Sequence, residues 1–321
     1  MEKVLWTIDY SVIIKDNKNE TENETWTDEQ GVKYSADRRK VIKATKPLNE
    51  YTILDGTIEI GDNAFNFQPW APSLMKLTIP NSVEKIGTNV FQYCKFQELT
   101  IPESVKTIGD DLFCECIYLQ NVTIPSSLVS MEGNPFRLLR PSQFINYKPY
   151  AIFNNSKHYK IIDGMLCSSD RQRLVTCLYS DKVMLQIPDV KIIGKHSCAD
   201  CRAAEVHIPK SVQIIEDNAF YDARIERVIL PDSLTHIGKN AFAGSNLRSI
   251  HIPYSVRKIE ESAFSCYWLT RVYINSRDIS IAHNAFRSEK LQEIFVPYGY
   301  LNYFREMMPD HKRIIKESDE Y

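Results

Sequence analysis

Several features that identify common protein classes are missing from this 321-residue sequence. No apolar run approaches the roughly 20 residues that a membrane-spanning helix needs. Lys and Arg show no excess either, because the net charge is −2 and the pI is about 6.4. A nucleic-acid-binding protein normally carries a basic excess or stripe. The sequence therefore predicts neither membrane insertion nor a nucleic-acid partner.

Catalytic motifs are missing as well. The sequence contains no Gly-x-Ser-x-Gly elbow, no phosphate-binding glycine loop and no His-Glu-x-x-His helix. Its acidic pairs, such as Asp110–Asp111 and Glu260–Glu261, fall in turns between apolar positions, which favours solvated turn residues. We predict no enzyme activity, no catalytic residue and no cofactor. A remote alternative is an enzyme with a site in the irregular segment 134–162.

What the sequence does contain is a recurring phrase, such as LTIPESVKTIGDDLF at residues 99–113. We define its anchor as the apolar residue that usually precedes a proline. Within each run the anchors lie 21 to 23 residues apart, which indicates stacked repeats. The anchors are Ile79, Ile101, Ile124, Ile187, Ile208, Leu230, Ile252, Ile274 and Val296, with Ile53 as an earlier degenerate copy.

Other apolar columns stay in phase with the anchors. Most repeats have apolar residues five and two positions before the anchor, an Ile (usually followed by Gly) after it, and an aromatic residue at the end. The aromatic column is Phe65, Phe91, Phe113, Phe136, Phe220, Phe242, Phe264 and Phe286. One coil of about 22 residues cannot bury all these positions alone, so the columns predict a β-rich solenoid in which each forms a ladder.

The turn residues suit such a coil. Proline after the anchor fits a strand end, since it has no N–H for the ladder. Glycine after the Ile permits a tight or left-handed turn. Asn or Asp before Ala-Phe, as at Asn63 and Asn218, predicts the cap of a short helical turn that places the Phe inward.

Two segments break the repeat and resemble one another. GMLCSSDRQRLV from Gly164 aligns without gaps to GVKYSADRRKVI from Gly31. Both read as strand, Ser-x-Asp turn and strand, so each is predicted to be a hairpin that opens an array of coils. Cys167 and Cys177 are not opposite one another in such a hairpin, which argues against a disulfide.

The organisation follows from these boundaries. At the N-terminus, alternating apolar residues from Val4 to Ile14 predict a strand or hairpin, and the polar run 15–30 predicts a solvated loop. Near the C-terminus, Leu301, Phe304 and Met308 fall on one helical face that can cap the last coil. The predicted segments are an N-terminal cap (1–30), a first array (31–140), an irregular insert (141–163), a second array (164–297) and a capping helix with tail (298–321).

The segment HSCADC has soft ligands at zinc-like spacing in His196, Cys198 and Cys201. Cys198 nevertheless occupies the Phe column, and Cys201 keeps the offset that Cys94 has in its own coil. Both thiols are therefore predicted to pack in the core, and no metal site is predicted. The sequence nominates no base that would activate a cysteine.

The repeated phrase L..LTIP.SV..IG..AF..C..L, with hairpins of the form DG.L.S.D...LV, resembles the BspA-like leucine-rich repeats over about residues 30–300. The resemblance implies a right-handed leucine-rich-repeat solenoid, and binding or adhesion at the surface of host-associated bacteria and some protists. It implies export if a leader has been removed, whereas Met1 as the native start implies a cytoplasmic protein. The sequence leaves this choice open.

A candidate interaction surface lies at the outward strand position just before each anchor. The first array has Thr78, Thr100 and Thr123 there. The second array carries His207, Ile229, His251, Tyr273 and Phe295. The flanking positions are Glu205, Arg227, Ser249, Arg271 and Glu293. Aromatic and arginine side chains are enriched at interfaces, although β-prone residues also simply suit strands.

The sequence thus predicts a non-enzymatic binding protein that presents a rigid strand face to a protein or glycan ligand. The alternative is a structural spacer or self-association module, in which the exposed aromatic residues pack against another copy.

Overall fold

The computed structural model of the chain describes residues 24–67, 74–137, 151–178 and 183–318. The predicted strand at Val4–Ile14 lies outside them. In the first part of the chain, the strands are β1 Thr25–Thr27, β2 Val32–Ser35, β3 Lys40–Ala44, β4 Glu50–Thr52, β5 Glu59–Ile60, β6 Lys76–Thr78, β7 Lys85–Ile86, β8 Glu98–Leu99, β9 Thr107–Ile108, β10 Asn121–Ile124, β11 Ser130–Met131 and β12 Ala151–Asn154.

The second part of the chain continues the pattern and adds a short C-terminal helix. Its elements are β13 Tyr159–Ile162, β14 Met165–Ser168, β15 Arg173–Cys177, β16 Met184–Gln186, β17 Ile192–Ile193, β18 Glu205–His207, β19 Ile214–Ile215, β20 Arg227–Ile229, β21 His236–Ile237, β22 Ser249–Ile252, β23 Lys258–Ile259, β24 Arg271–Ile274, β25 Ser280–Ile281, β26 Glu293–Pro297, α1 Leu301–Met307, a 3₁₀ turn Pro309–His311 and β27 Ile315–Ser318.

Each coil contributes one short strand to each of two parallel ladders. We call the strands that lead into the anchors the anchor strands. They form the sheets β4-β6, β8-β10-β12, β16-β18-β20 and β22-β24-β26-β27. The short strands around the recurrent Ile continue the antiparallel strands that open each array, and the two longer sheets have the order β1-β2-β3-β5-β7-β9-β11 and β13-β14-β15-β17-β19-β21-β23-β25. The register keeps equivalent residues paired, as with Ile86 opposite Ile108, so the predicted solenoid is confirmed.

The coils are closed by turns at the Phe column rather than by short helices. The Phe91 amide donates to the Leu112 carbonyl of the next coil at 3.1 Å, and the Phe220 amide donates to the Ala241 carbonyl at 2.8 Å. Asn218, predicted as a helix cap, has a left-handed backbone with φ of 56°. Asn tolerates this conformation better than most residues. Its backbone amide donates to the next coil, so the turn serves as a third ladder.

Glycine after the Ile is needed for space rather than for backbone conformation. Gly109 has no left-handed φ. A Cβ built on it would lie 2.4 Å from the carbonyl carbon of Gly87 in the preceding coil. The backbone at Gly109 is therefore not left-handed, and glycine occupies this position because the closely stacked coils leave no space for a side chain.

The predicted columns form the core. Every Phe of the aromatic column is buried, and in the second array the rings of Phe220, Phe242 and Phe264 stack with centroids 5.0 and 5.2 Å apart. Ile208 and Val228 are only half-buried but still pack against this core. Burying one such side chain stabilises by roughly 1.5–3 kcal/mol, so each ring of these ladders contributes to the stability of the fold.

The two hairpins share their details as well as their sequence. Strands β2 and β3 pair antiparallel with an irregularity between Lys33 and Tyr34, and β14 and β15 do so with one between Leu166 and Cys167. These pairs of residues are equivalent in the ungapped alignment. The hairpin prediction is therefore confirmed, and Cys167 lies opposite Leu174 rather than Cys177.

Regular structure extends further than the sequence predicts. Thr25–Thr27, in the run predicted to be a solvated loop, forms β1 and pairs with β2. Within the segment predicted to be irregular, β12 pairs with β10 of the anchor sheet β8-β10-β12, and β13 pairs with β14. Of the capping helix, Phe304 and Met308 are buried and Leu301 is half-buried. None of the described helices is long and apolar enough to cross a membrane.

Candidate functional site

The predicted outward column of the second array forms one surface in two segments. We call His207, Ile229, His251, Tyr273 and Phe295 the stripe. His207 pairs with Ile229 across β18 and β20, while His251, Tyr273 and Phe295 are successive partners across β22, β24 and β26. Strands β20 and β22 belong to separate sheets, so the ladder is interrupted between Ile229 and His251.

The second segment of the stripe is a stack of three rings. The His251 and Tyr273 ring centroids lie 4.2 Å apart with 9° between the planes, and the Tyr273 and Phe295 centroids lie 5.0 Å apart with 8° between them. This spacing follows from the strand separation of about 4.8 Å. His251 is exposed and the other two rings are half-buried. Burial lowers the pKa of His251, which favours its neutral form.

Charged side chains flank the stripe in ordered pairs. Arg271 Nε donates to Glu293 at 3.0 Å, and Lys316 Nζ contacts the other oxygen of the same carboxylate at 2.8 Å. These contacts, that with Lys316 first, hold the pKa of Glu293 below its usual value. In the first segment Glu205 lies 3.2 Å from His207 and 3.9 Å from Arg227.

Two members of this surface were missed from the sequence. Gln186 precedes the anchor Ile187 and pairs with His207. Lys316 lies on β27 and pairs with Phe295. Its segment lacks the proline that marks most anchors, but the β-prone run Arg313–Glu317 was the available signal.

The cysteines of HSCADC lie in the core, as predicted. Cys198 and Cys201 are both buried. The neighbouring Cys177 thiol and burial raise the pKa of Cys198, so it is a thiol at neutral pH. Elsewhere in the core, the Cys116 thiol donates to the Phe91 carbonyl at 2.9 Å and the Cys266 thiol to the Phe242 carbonyl at 3.1 Å. These cysteines link successive coils.

A polar cluster that the sequence did not indicate joins the two arrays. Lys195 Nζ lies 2.8 Å from Asp110 Oδ2. The Arg137 guanidinium donates to Asp111 at 3.2 Å and to His196 Nε2 at 2.9 Å. Burial and then the Arg137 charge lower the pKa of His196 to about 4, whereas burial and then Asp110 raise that of Asp111 to about 6. Sequence separation hid the cluster, since its members come from different coils.

Three side chains of this cluster carry atoms that commonly bind metal ions. Ligand atoms of Asp110, Asp111 and His196 all lie within 4.8 Å of one another. Lys195 and Arg137 already contact the two carboxylates, and the guanidinium also donates to the imidazole. A cation would have to displace both. The residues present fit an internal ion-pair network better than a metal.

The chain belongs to the BspA-type leucine-rich repeat family. The profile described as "BspA type Leucine rich repeat region" matches six copies over residues 39–159 and 191–306, well over half of the chain. The predicted resemblance is thereby confirmed. No curated protein sequence matches the chain.

Solved structures share the fold at low identity. A leucine-rich repeat protein from Eubacterium ventriosum has a TM-score of 0.65 at 19% identity, over 78% of this chain and 67% of its own. The pneumococcal vaccine antigen PcpA has a TM-score of 0.63 at 20% identity, over 88% of this chain and 76% of its own. A leucine rich cell surface protein from Faecalibacterium prausnitzii has a TM-score of 0.51 at 20% identity, over 89% of this chain and 97% of its own.

The family match, unlike the structural matches, bears on the kind of activity. Leucine-rich repeat proteins of this family are typically non-enzymatic, and the family indicates a binding or adhesion role. Leucine-rich repeats bind proteins through preformed concave or flat surfaces that stacked coils create. The family match therefore indicates a recognition role and names no ligand.

Proposed function

We propose that the chain is a non-enzymatic binding protein that uses the stripe of the second array to hold a protein or glycan ligand. The ring stack of His251, Tyr273 and Phe295 supports this proposal most directly. Three rings on adjacent, hydrogen-bonded strands form a preformed surface, so little ordering entropy is lost on binding. Aromatic and arginine side chains are the groups on which interface energy concentrates.

The test is a double substitution on this surface. Protein and glycan arrays identify a ligand of the purified chain, and its Kd is then measured for Tyr273→Ala with Phe295→Ala. We expect a loss of at least about tenfold, or about 1.4 kcal/mol, while the thermal midpoint falls little because both rings are half-buried. The matched control changes Thr78 and Thr100 to Ala in the first array. An unaltered Kd in the folded double variant would remove the proposal.

Self-association is the second candidate, and exposed apolar residues in and next to the first segment of the stripe favour it. Val183, Met184 and Ile229 are exposed, with Ile229 at 71%. Packing against another copy would bury them. Sedimentation across a concentration range tests this alternative, since a monomer at every concentration contradicts it.

A further inference from the structure

We infer that the stripe recognises an acidic polypeptide segment rather than the ring faces of a glycan. This inference rests on the proposed function and narrows its ligand class. It is carried by the orientation of the rings in the stack and by the unequal exposure of the flanking charges.

The stacking geometry decides which part of each ring a ligand meets. With planes within 9° of parallel and centroids 4.2 and 5.0 Å apart, the rings of His251, Tyr273 and Phe295 cover one another's faces. Tyr273, in the middle, has a neighbouring ring on both sides. Because the ring faces cover one another, a ligand at the centre of the stack meets ring rims rather than ring faces.

A sugar ring binds aromatic side chains by lying against an open ring face. The stack offers no open face at its centre, because neighbouring rings occupy that space. Ring rims instead carry the positive end of the aromatic quadrupole. They suit carbonyl and carboxylate oxygens and the edges of apolar side chains, which are the groups that a polypeptide supplies.

The flanking charged side chains also favour an acidic polypeptide as the ligand. Beside the ring stack, Arg271 and Lys316 both contact Glu293. The Arg271 and Lys316 side chains are 53% and 55% exposed, whereas the Glu293 side chain is 24% exposed. In the other segment the Arg227 side chain is 72% exposed and Glu205 only 30%. The carboxylates thus lie close to the sheet and the cationic groups extend beyond them.

The electrostatic consequence is a surface whose outermost charges are positive although the whole chain carries −2. A ligand that approaches the stripe meets Arg227, Arg271 and Lys316 before it meets either carboxylate. Complementary charge raises the association rate and selects against wrong partners. An acidic segment with alternating apolar side chains matches both the ring rims and the outer cations.

The length of the surface fits a short extended segment. The hydrogen-bonded strands β22, β24, β26 and β27 span three strand separations, or about 14 Å. An extended chain covers this distance with about four residues. A ligand that also reaches Arg227 adds about one more strand separation.

The test uses three labelled peptides of about twelve residues that alternate Leu with Glu, Gln or Lys, and a neutral glucose hexasaccharide as competitor. Fluorescence anisotropy with the full chain measures each Kd. We expect the Glu peptide to bind at least about tenfold tighter than the Gln peptide, and the Lys peptide to bind most weakly. Raising the salt from about 50 to about 300 mM should weaken the Glu peptide, because surface charges are then screened.

Variants locate the binding on the stripe. Arg271→Gln with Lys316→Gln should weaken the Glu peptide about tenfold or more, whereas the control Lys76→Gln, on an outward strand position of the first array, should not. Equal affinities for the Glu and Gln peptides, absence of binding, or displacement by the hexasaccharide would each overturn the inference. If the Tyr273 and Phe295 double variant still loses its own ligand in those cases, the proposed function stands without this ligand class.

Discussion

The two arrays share a scaffold and differ in the surface they present. In the first array the outward column is threonine at three successive coils, whereas in the second array it changes residue at every coil. Most inward columns and both hairpin turns keep the same residue types in the two arrays. A solenoid needs its inward residues to stack and its turns to close, but the outward position of an anchor strand is free of both constraints. Differences between the arrays at that position are therefore where recognition can evolve.

The buried Phe ladders also differ between the arrays. In the second array the planes of successive rings from Phe220 to Phe286 lie within 13° of parallel. In the first array Phe65, Phe91 and Phe113 are rotated by 24° and 32°, and Phe96 lies edge-on to Phe91 at 84°. Most coils have Leu or Ile where Phe96 lies. An additional ring in that column explains the altered stack.

The largest expected effect is in the regular ladder. Phe242→Ala removes a fully buried ring between two stacked neighbours and should lower the free energy of unfolding by about 3–5 kcal/mol. Urea unfolding measures it. Tyr254→Ala, at an exposed position of the same array, is the control and should change little. A loss below about 1 kcal/mol for Phe242→Ala would contradict a stabilising role for the stacked ring.

The polar cluster between the arrays gives the next effect, and it depends on pH. The pKa of His196 is about 4 in the folded chain, below its ordinary value of 6.5, because burial and Arg137 disfavour the imidazolium. As pH falls through 6.5 the unfolded chain binds the proton first. Stability is therefore lost progressively between about pH 6.5 and 4. Asp111 acts in the opposite sense, since its pKa of about 6 lets the folded chain bind a proton first.

His196→Asn separates these contributions. Asn tolerates the left-handed backbone at this position, with φ of 54°, and carries no titrating ring. Relative to the parent chain, the variant should gain about 2 kcal/mol in free energy of unfolding between pH 7 and 4.5. Urea unfolding at the two pH values gives this difference directly. If the variant and the parent chain differ in free energy of unfolding by the same amount at pH 7 and pH 4.5, His196 does not have the lowered pKa assigned to it.

A smaller effect is expected from making the first ladder resemble the second. Phe96→Leu restores the common residue of its column and places a smaller side chain beside Phe91. We expect a loss of about 1 kcal/mol from the smaller side chain, partly offset by closer stacking of Phe91 on its neighbours. The matched reverse change, Leu247→Phe, should cost more because a filled column has no room for the ring. Equal effects would mean that the two ladders tolerate rings alike.

The sequence predicted the periodic part of this structure and missed the rest for physical reasons. Column spacing fixed which residues face inward, so the Phe ladder, the buried Cys198 and the paired hairpins were all predictable. The outward position of the stripe was predictable too, because side chains alternate along a strand. The stack of Tyr273 on its neighbours and the break after Ile229 depend on sheet register, and the Asp110–His196 cluster on contacts between distant coils. Those properties have no local signal.

The smallest expected effect compares the two hairpins directly. Asp37 Oδ1 accepts from the Ser35 hydroxyl at 2.6 Å and the Arg39 amide at 3.0 Å, and Asp170 accepts from its equivalents, the Ser168 hydroxyl and a turn amide, at the same distances. These contacts hold the pKa of both carboxyls below the ordinary value, those from the serines contributing most.

Asp37→Ala and Asp170→Ala should therefore lower the thermal midpoint by small and equal amounts at pH 7. Since each folded-state pKa is depressed, the contribution is present above the unfolded pKa of about 3.9 and disappears as pH falls through the folded value. Scanning calorimetry at pH 7 and near pH 2 measures it, and Asn at either position should restore most of the loss because its carbonyl accepts the same two hydrogen bonds. Unequal losses at pH 7 would show that one hairpin depends on its array for support, and that the scaffold differs between the arrays as its outer surface does.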